Sequence, residues 1–183
     1  GAPPLLEAMM SKLEIRESQP GDLAGIEQIY GDAFPEEDLL PLVRELLDFG
    51  PSVLSIVAVD ENAIAGHICF TFCQLEESEE MLALLGPLAV TPALHKQGIG
   101  STLVQAGFKH METSKAGCVF VLGDPNYYDR FGFQAEEKVL PPYPLPDEWH
   151  GAWQSIQLCD PEAPHEGKLT VPEPWRKSVL WTS

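Results

Sequence analysis

The sequence predicts an α/β fold on three observations. Strand-length apolar runs alternate with stretches of helical period, their order is strand, helices, three strands, helix, strand, and one run is apolar throughout. That run is CVFVLG, from Cys118 to Gly123, the pattern of a strand buried on both faces. At the start, LEIRES from Leu13 alternates apolar and polar residues as a short strand does, and Gln19-Pro20-Gly21-Asp22 ends it. A helix is expected from Asp22, its N-cap, because Leu23, Ile26, Ile29, Tyr30 and Ala33 keep helical spacing. A second helix, separated from the first near Phe34-Pro35, runs on to Phe49-Gly50. VLSIVAV (Val53 to Val59), the turn Asp60-Glu61-Asn62-Ala63 and IAGHICFTF (Ile64 to Phe72) read as a hairpin, closed by an acidic loop from Glu76 to Glu80. Met81 to Val90 is short and contains Gly86-Pro87, which assigns it to strand rather than helix.

After Thr91-Pro92 the period changes, and Ile99, Leu103, Phe108 and Met111 mark a helix. Asp124-Pro125 opens a short helix that ends near Gly132. Beyond Leu140 the segment PPYPLPDEW has no period, and a strand around Trp153 to Leu158 precedes a polar stretch to Pro174. No internal repeat is visible. The organisation expected is an N-terminal extension or cloning remnant over 1–10, a core over 11–146, and a C-terminal extension over 147–183 packed on the same domain.

Length and charge exclude several classes. At 183 residues the chain is one domain with room for a substantial core. It carries 28 acidic against 11 basic side chains, a net charge of −17, which disfavours nucleic acid and anionic membranes as partners and would attract a cationic amine. Cys69, Cys73, Cys118 and Cys159 show no metal-binding spacing and read as buried thiols of a cytoplasmic protein, with no metal expected. The longest apolar run, Met81 to Val90, is about half of the roughly 20 residues a spanning helix needs. The N-terminal GAPPLLEAMM lacks the basic region and cleavage site of a secretory signal.

The segment LGPLAVTPALHKQGIGSTLV carries the chemistry. A strand leads through a glycine-bearing loop directly into a helix, so Lys96, Gln97, Gly98, Ile99, Gly100 and Ser101 present backbone N–H groups at a helix N-terminus, where the macrodipole favours an anion. Gly98 and Gly100 let a ligand approach the backbone closely. The loop is neither a P-loop nor a GxGxxG turn, and a plain strand-to-helix turn with packing glycines is the alternative. Lys96 is positioned to neutralise a phosphate oxygen or simply faces solvent. Arg130 could serve likewise or pair with Asp129.

A second motif, CVFVLGDPNYYDRFGF, joins a buried strand to paired tyrosines and Phe131-Gly132-Phe133. Together the two segments resemble the GNAT superfamily of acyl-CoA-dependent N-acyltransferases, over roughly Leu13 to Pro146. The family's Q/R-x-x-G-x-G/A coenzyme motif falls on His95, Gly98 and Gly100, and its later Tyr-x-x-x-Gly-Phe signature falls on Tyr128, Gly132 and Phe133. The wording VLGDPNYYDRFGF is similar to a bacterial subfamily of N-acetyltransferases. The resemblance implies a mixed, mostly antiparallel central sheet flanked by helices and splayed at the fourth strand, with acetyl-CoA as co-substrate and no metal. Two positions depart from the pattern. His95 stands where Gln or Arg is usual, and Val121 stands where many members have Asn.

The implied reaction is direct attack of a primary amine, on a small molecule or a peptide, at the thioester carbonyl. The resemblance assigns the oxyanion and pantetheine contacts to Leu88, Ala89 and Val90. Gly86-Pro87 interrupts sheet pairing beside them and frees neighbouring backbone groups. Tyr128 is the expected acid for the leaving thiolate, since a phenol of pKa about 10 can protonate a thiolate whose acid has pKa about 8.5. Glu36, Glu37, Glu79 and Glu80 are candidate bases. His67 and His110 read as packing or surface residues. An acyl-CoA-binding module without turnover is the rival class, and a partner-binding protein with exposed Trp149, Trp153, Trp175 and Trp181 is a third. Those tryptophans are expected instead to cover the substrate end of the sheet. The oligomeric state stays open, a homodimer included.

Overall fold

The computed structural model describes residues 13–160 and 164–182, so the expectation for residues 1–10 lies outside the described residues. The central sheet has the order β1-β2-β3-β4-β5-β8-β6. Its strands are β1 (Leu13–Glu17), β2 (Val53–Asp60), β3 (Ala63–Leu75), β4 (Leu82–Val90), β5 (Cys118–Leu122), β6 (Gln134–Ala135) and β8 (Trp153–Gln157). The short strands β7 (Val139–Leu140) and β9 (Gly167–Thr170) attach at the end of β3. All pairings are antiparallel except β4 with β5 and β7 with β9. The sheet is therefore mixed and mostly antiparallel, with helices on both faces.

Period-2 alternation along β2 shows how the faces are divided. Ile56 and Ala58 join the core under α3 (Ile99–Thr113), while Val57 and Val59 pack with Ile26, Ile29 and Tyr30 of α1 (Leu23–Ala33) and Val43 of α2 (Leu40–Asp48). A third apolar cluster, on the same side as α1 and α2, joins Leu42 and Leu46 to Phe120, Trp153, Trp175 and Trp181. Phe120 and Trp153 stack at 5.5 Å between centroids, diagonally across the β5–β8 pair, where Phe120 faces Ser155 and Trp153 faces Leu122.

Several local expectations are refined. Asp22 occupies the N-cap position of α1 without capping it; its carboxylate instead receives two hydrogen bonds from Arg16, at 2.7 and 3.0 Å, and one from the Gln19 N–H. That pairing holds the Asp22 carboxyl below its ordinary range and fixes the entry to α1. The β2–β3 hairpin turns on Glu61 and Asn62, both at positive φ (49° and 71°), as a primed two-residue turn requires. Cys69, Cys73 and Cys118 are buried, and burial pushes the Cys69 and Cys118 thiols up to about 12. Cys159 is exposed, which corrects the reading of four buried thiols: it lies just past the end of β8, where composition alone gives no burial signal.

The C-terminal part is more than a cover. β8 inserts between β5 and β6, β9 extends β3, and the segment from Glu173 through the terminal turn α5 (Val179–Thr182) lies against the sheet. Among the described residues, no helix is long and apolar enough to cross a membrane.

Candidate active site

The site begins with a fault in β4. Ile68 pairs with Leu88 and Phe70 with Leu85, so the single residue Cys69 faces the two residues Gly86 and Pro87, a β-bulge. The parallel pairing of β4 with β5 ends at Leu85 and Val121. Beyond that point the two strands separate. Thr91 N–H donates to Ala65 O at 2.8 Å, so antiparallel alternation turns Ala89 toward β3 as well, and turns the N–H and C=O of Leu88 and Val90 into the gap. The Val90 carbonyl accepts a 2.8 Å hydrogen bond there from His95 Nε2.

On one side of the splay lies a cleft of about 490 Å³. Its floor is the N-terminus of α3, reached through a loop in which Lys96 and Gly98 adopt left-handed φ values of 67° and 81°. The amide N–H groups of Gly98 to Ser101 open the helix and lack partners within its first turn, so they form an anion-attracting cradle. A Cβ on Gly100 would collide with the Tyr127 hydroxyl, so the bare glycine lets that tyrosine close over the helix end. Lys96 and Arg130 supply positive charge to the cleft. Arg130 sits with its guanidinium carbon 4.5 Å from the Tyr127 ring centroid and donates from Nε to Tyr127 O at 2.9 Å, rather than serving Asp129.

On the other side lies a cavity of about 250 Å³, walled by Leu42, Leu84, Trp175, Leu180 and Trp181, with Glu37 at its mouth. Both indoles are fixed by the fold: Trp175 Nε1–H donates to Thr71 Oγ1 and Trp181 Nε1–H to Trp175 O, each at 3.0 Å. Phe34, Leu88 and Tyr128 line both spaces, so the cleft and the cavity meet at these three residues.

Tyr128 ends the short helix α4 (Pro125–Tyr128), which Asp124 caps through a 2.9 Å bond from Asn126 N–H. Its ring is held edge-on by Tyr127 and Phe133, at 5.0 and 5.7 Å between centroids. Burial raises the Tyr128 hydroxyl well above the ordinary phenol range, so it stays protonated and available as a hydrogen-bond donor.

Of the residues expected from sequence, Leu88, Val90, His95, Lys96, Gly98, Ile99, Gly100, Ser101 and Tyr128 come together around the cleft. Ala89 and Gln97 do not line it: Ala89 packs its methyl in the α1–α2 core and Gln97 is exposed. Among the candidate bases only Glu37 reaches the cavity; Glu36 lies on the neighbouring loop surface, and Glu80 pairs with His165 at 3.0 Å. His67 is fully buried, with Nδ1 2.8 Å from the Tyr30 hydroxyl and Nε2 2.8 Å from Ser55 Oγ, and burial lowers its pKa to about 3. His110 is exposed late on α3. Phe34, Tyr127 and the lining role of Leu180 went unread in the sequence. For Tyr127 the signal was available, in its adjacency to Tyr128. Among the described residues no His, Cys, Asp or Glu group could hold a metal.

A splayed sheet whose fourth strand opens onto a helix N-terminus makes a cleft suited to an anionic ligand lying along a free strand edge. The chain belongs to the acetyltransferase (GNAT) family, whose pattern matches residues 23–133. It is 32% identical over 166 residues to YjhQ of Escherichia coli K12, described as an uncharacterised N-acetyltransferase, covering 87% of this chain and 92% of that one. It is 28% identical over 145 residues to YhbS of the same organism, also described as an uncharacterised N-acetyltransferase, covering 79% and 84%. The crystal structure of Escherichia coli YhbS in complex with CoA superposes with a TM-score of 0.81 at 25% identity, over 91% of this chain and 93% of that one. A Brucella melitensis GNAT acetyltransferase in complex with acetyl-CoA superposes with a TM-score of 0.72 at 27% identity, over 89% and 97%.

Proposed function

We propose that this chain is an N-acetyltransferase that moves the acetyl group of acetyl-CoA to a primary amine of a small molecule or peptide by direct attack. One observation carries the reading: the cleft and the cavity share Phe34, Leu88 and Tyr128 in their linings, so ligands entering from opposite sides would approach each other at these residues. The donor set of the cleft fits the coenzyme. The α3 N-terminus with Lys96 and Arg130 suits a pyrophosphate, and the outward backbone groups of Leu88 and Val90 suit the amides of a pantetheine arm. The CoA complex of YhbS and the acetyl-CoA complex of the Brucella protein support the same ligand.

Acetyl-CoA, when bound, supplies the acetyl thioester. Each residue then has a defined task. The Leu88 N–H, turned into the gap, stabilises charge developing on the carbonyl oxygen. Glu37 attracts the ammonium and receives its proton directly or through water, so that the neutral amine can attack. The N–C bond forms, the C–S bond breaks, and the Tyr128 hydroxyl donates to the leaving sulfur. A second proton from the new amide nitrogen restores Tyr128, and one proton leaves to solvent overall.

The test is calorimetric titration with acetyl-CoA, followed on the same protein by thiol release with amines. Binding together with release is expected. Binding with no release for any amine would leave a coenzyme-binding module, and no binding would overturn the reading of the cleft.

A further inference from the structure

The acceptor cavity has a chemical character of its own. Among the described residues that line it, the polar side-chain groups apart from the two indole N–H groups are the Glu37 carboxylate and the Tyr128 hydroxyl. Both tryptophan N–H groups are consumed within the fold, so Trp175 and Trp181 offer a ligand only ring surface. Among the described residues no Lys, Arg or His lines the space, and the loop at its mouth carries Glu36, Glu37 and Asp38 in succession. Its volume of about 250 Å³ is below the roughly 300–1,000 Å³ of sites for drug-sized ligands.

These features select by charge and by hydration. An acceptor bearing a carboxylate or phosphate would meet carboxylates and find no cation. An acceptor rich in hydroxyls would lose its water and find few side-chain partners along the walls beyond Glu37 and Tyr128, a penalty that falls on every unsatisfied group. An ammonium on a small apolar body meets neither difficulty, since its charge faces Glu37 and its body replaces water against indole and leucine.

We infer that the acceptor is a small primary amine on an apolar aromatic or branched-alkyl body, free of anionic groups, and that Trp175, Leu180 and Trp181 of the C-terminal segment select it. The inference rests on the acetyltransferase reading above. It narrows that reading to one acceptor class and assigns the specificity to residues beyond the 23–133 region of family similarity.

The experiment measures thiol release from acetyl-CoA with phenethylamine and isoamylamine, and with phenylalanine, glucosamine and spermidine for comparison. Wild-type kcat/KM is expected to be about 10- to 100-fold higher for the first two, the range that one or two unsatisfied polar groups produce. Glu37 is exposed, so Glu37→Lys preserves the fold; it should shift the phenethylamine-to-phenylalanine ratio by at least about tenfold toward the amino acid. Leu180→Ala, at a partly exposed wall position, should extend turnover to tryptamine-sized amines. Release confined to phenylalanine, glucosamine or spermidine would overturn the acceptor assignment while leaving acetyl transfer intact. Acetyl-CoA binding without release from either apolar amine would overturn it too, and absence of acetyl-CoA binding would remove both readings together.

Discussion

The two spaces that meet at Tyr128 are opposites in construction. The cleft proposed for the coenzyme draws its polar groups from the backbone, the amide N–H groups at the start of α3 and the outward edge of β4, with Lys96 and Arg130 adding positive charge on a chain of net charge −17. The cavity proposed for the acceptor is made of side chains from four distant stretches, 34–42, 84–88, 121–128 and 175–181, and of the acidic loop at its mouth Glu37 lines it. Backbone recognition suits a ligand that is always the same. Side-chain recognition lets the acceptor site diverge while the coenzyme site stands, because a wall residue changes by one substitution and a strand edge does not.

This contrast can be broken at the backbone side most severely. Gly100→Trp places a large side chain where even a Cβ meets the Tyr127 hydroxyl, and acetyl-CoA affinity measured by calorimetry should fall by more than about 100-fold, while circular dichroism remains native. Lys96→Ala removes a charge rather than the cradle. Its affinity should fall only about 3- to 10-fold, and the deficit should shrink as salt rises, since the group is exposed.

A pH series separates the ligand sites from the scaffold beneath them. His67 is held at a pKa of about 3 in the folded protein by burial, against about 6.5 unfolded, so the unfolded chain binds the proton more readily. The stabilisation is complete above pH 6.5 and is lost as pH falls toward 3, at up to about 1.4 kcal/mol per pH unit. Urea midpoints at pH 7.5 and 5 should show that decline in the wild type. A flat profile would mean that the ring is not buried neutral.

The same division explains what the amino-acid order disclosed. Alternation in VLSIVAV and the apolar run CVFVLG announced β2 and β5 because burial on a sheet imposes a period, and Gly98-Ile99-Gly100 announced the cradle because its donors are consecutive. Tyr128 was legible through the spacing to Gly132-Phe133. The acceptor cavity was not, because Glu37, Leu84 and Trp181 have no relation until the chain closes, and four acidic candidates on two loops look alike in sequence. Cys159 and Ala89 were misjudged for a related reason: exposure depends on where a strand ends, and facing depends on the register with β3.

The account stands most directly on Tyr128, where cleft and cavity join. Tyr128→Phe keeps the ring that packs against Phe133 and removes only the hydroxyl. Measured side by side with the wild type on an amine that releases thiol, it should lower kcat by about 100-fold, within the range for a general acid, with acetyl-CoA affinity unchanged. An unaltered kcat would contradict the proposed proton donor, and an equal loss of coenzyme affinity would show that the hydroxyl serves binding instead.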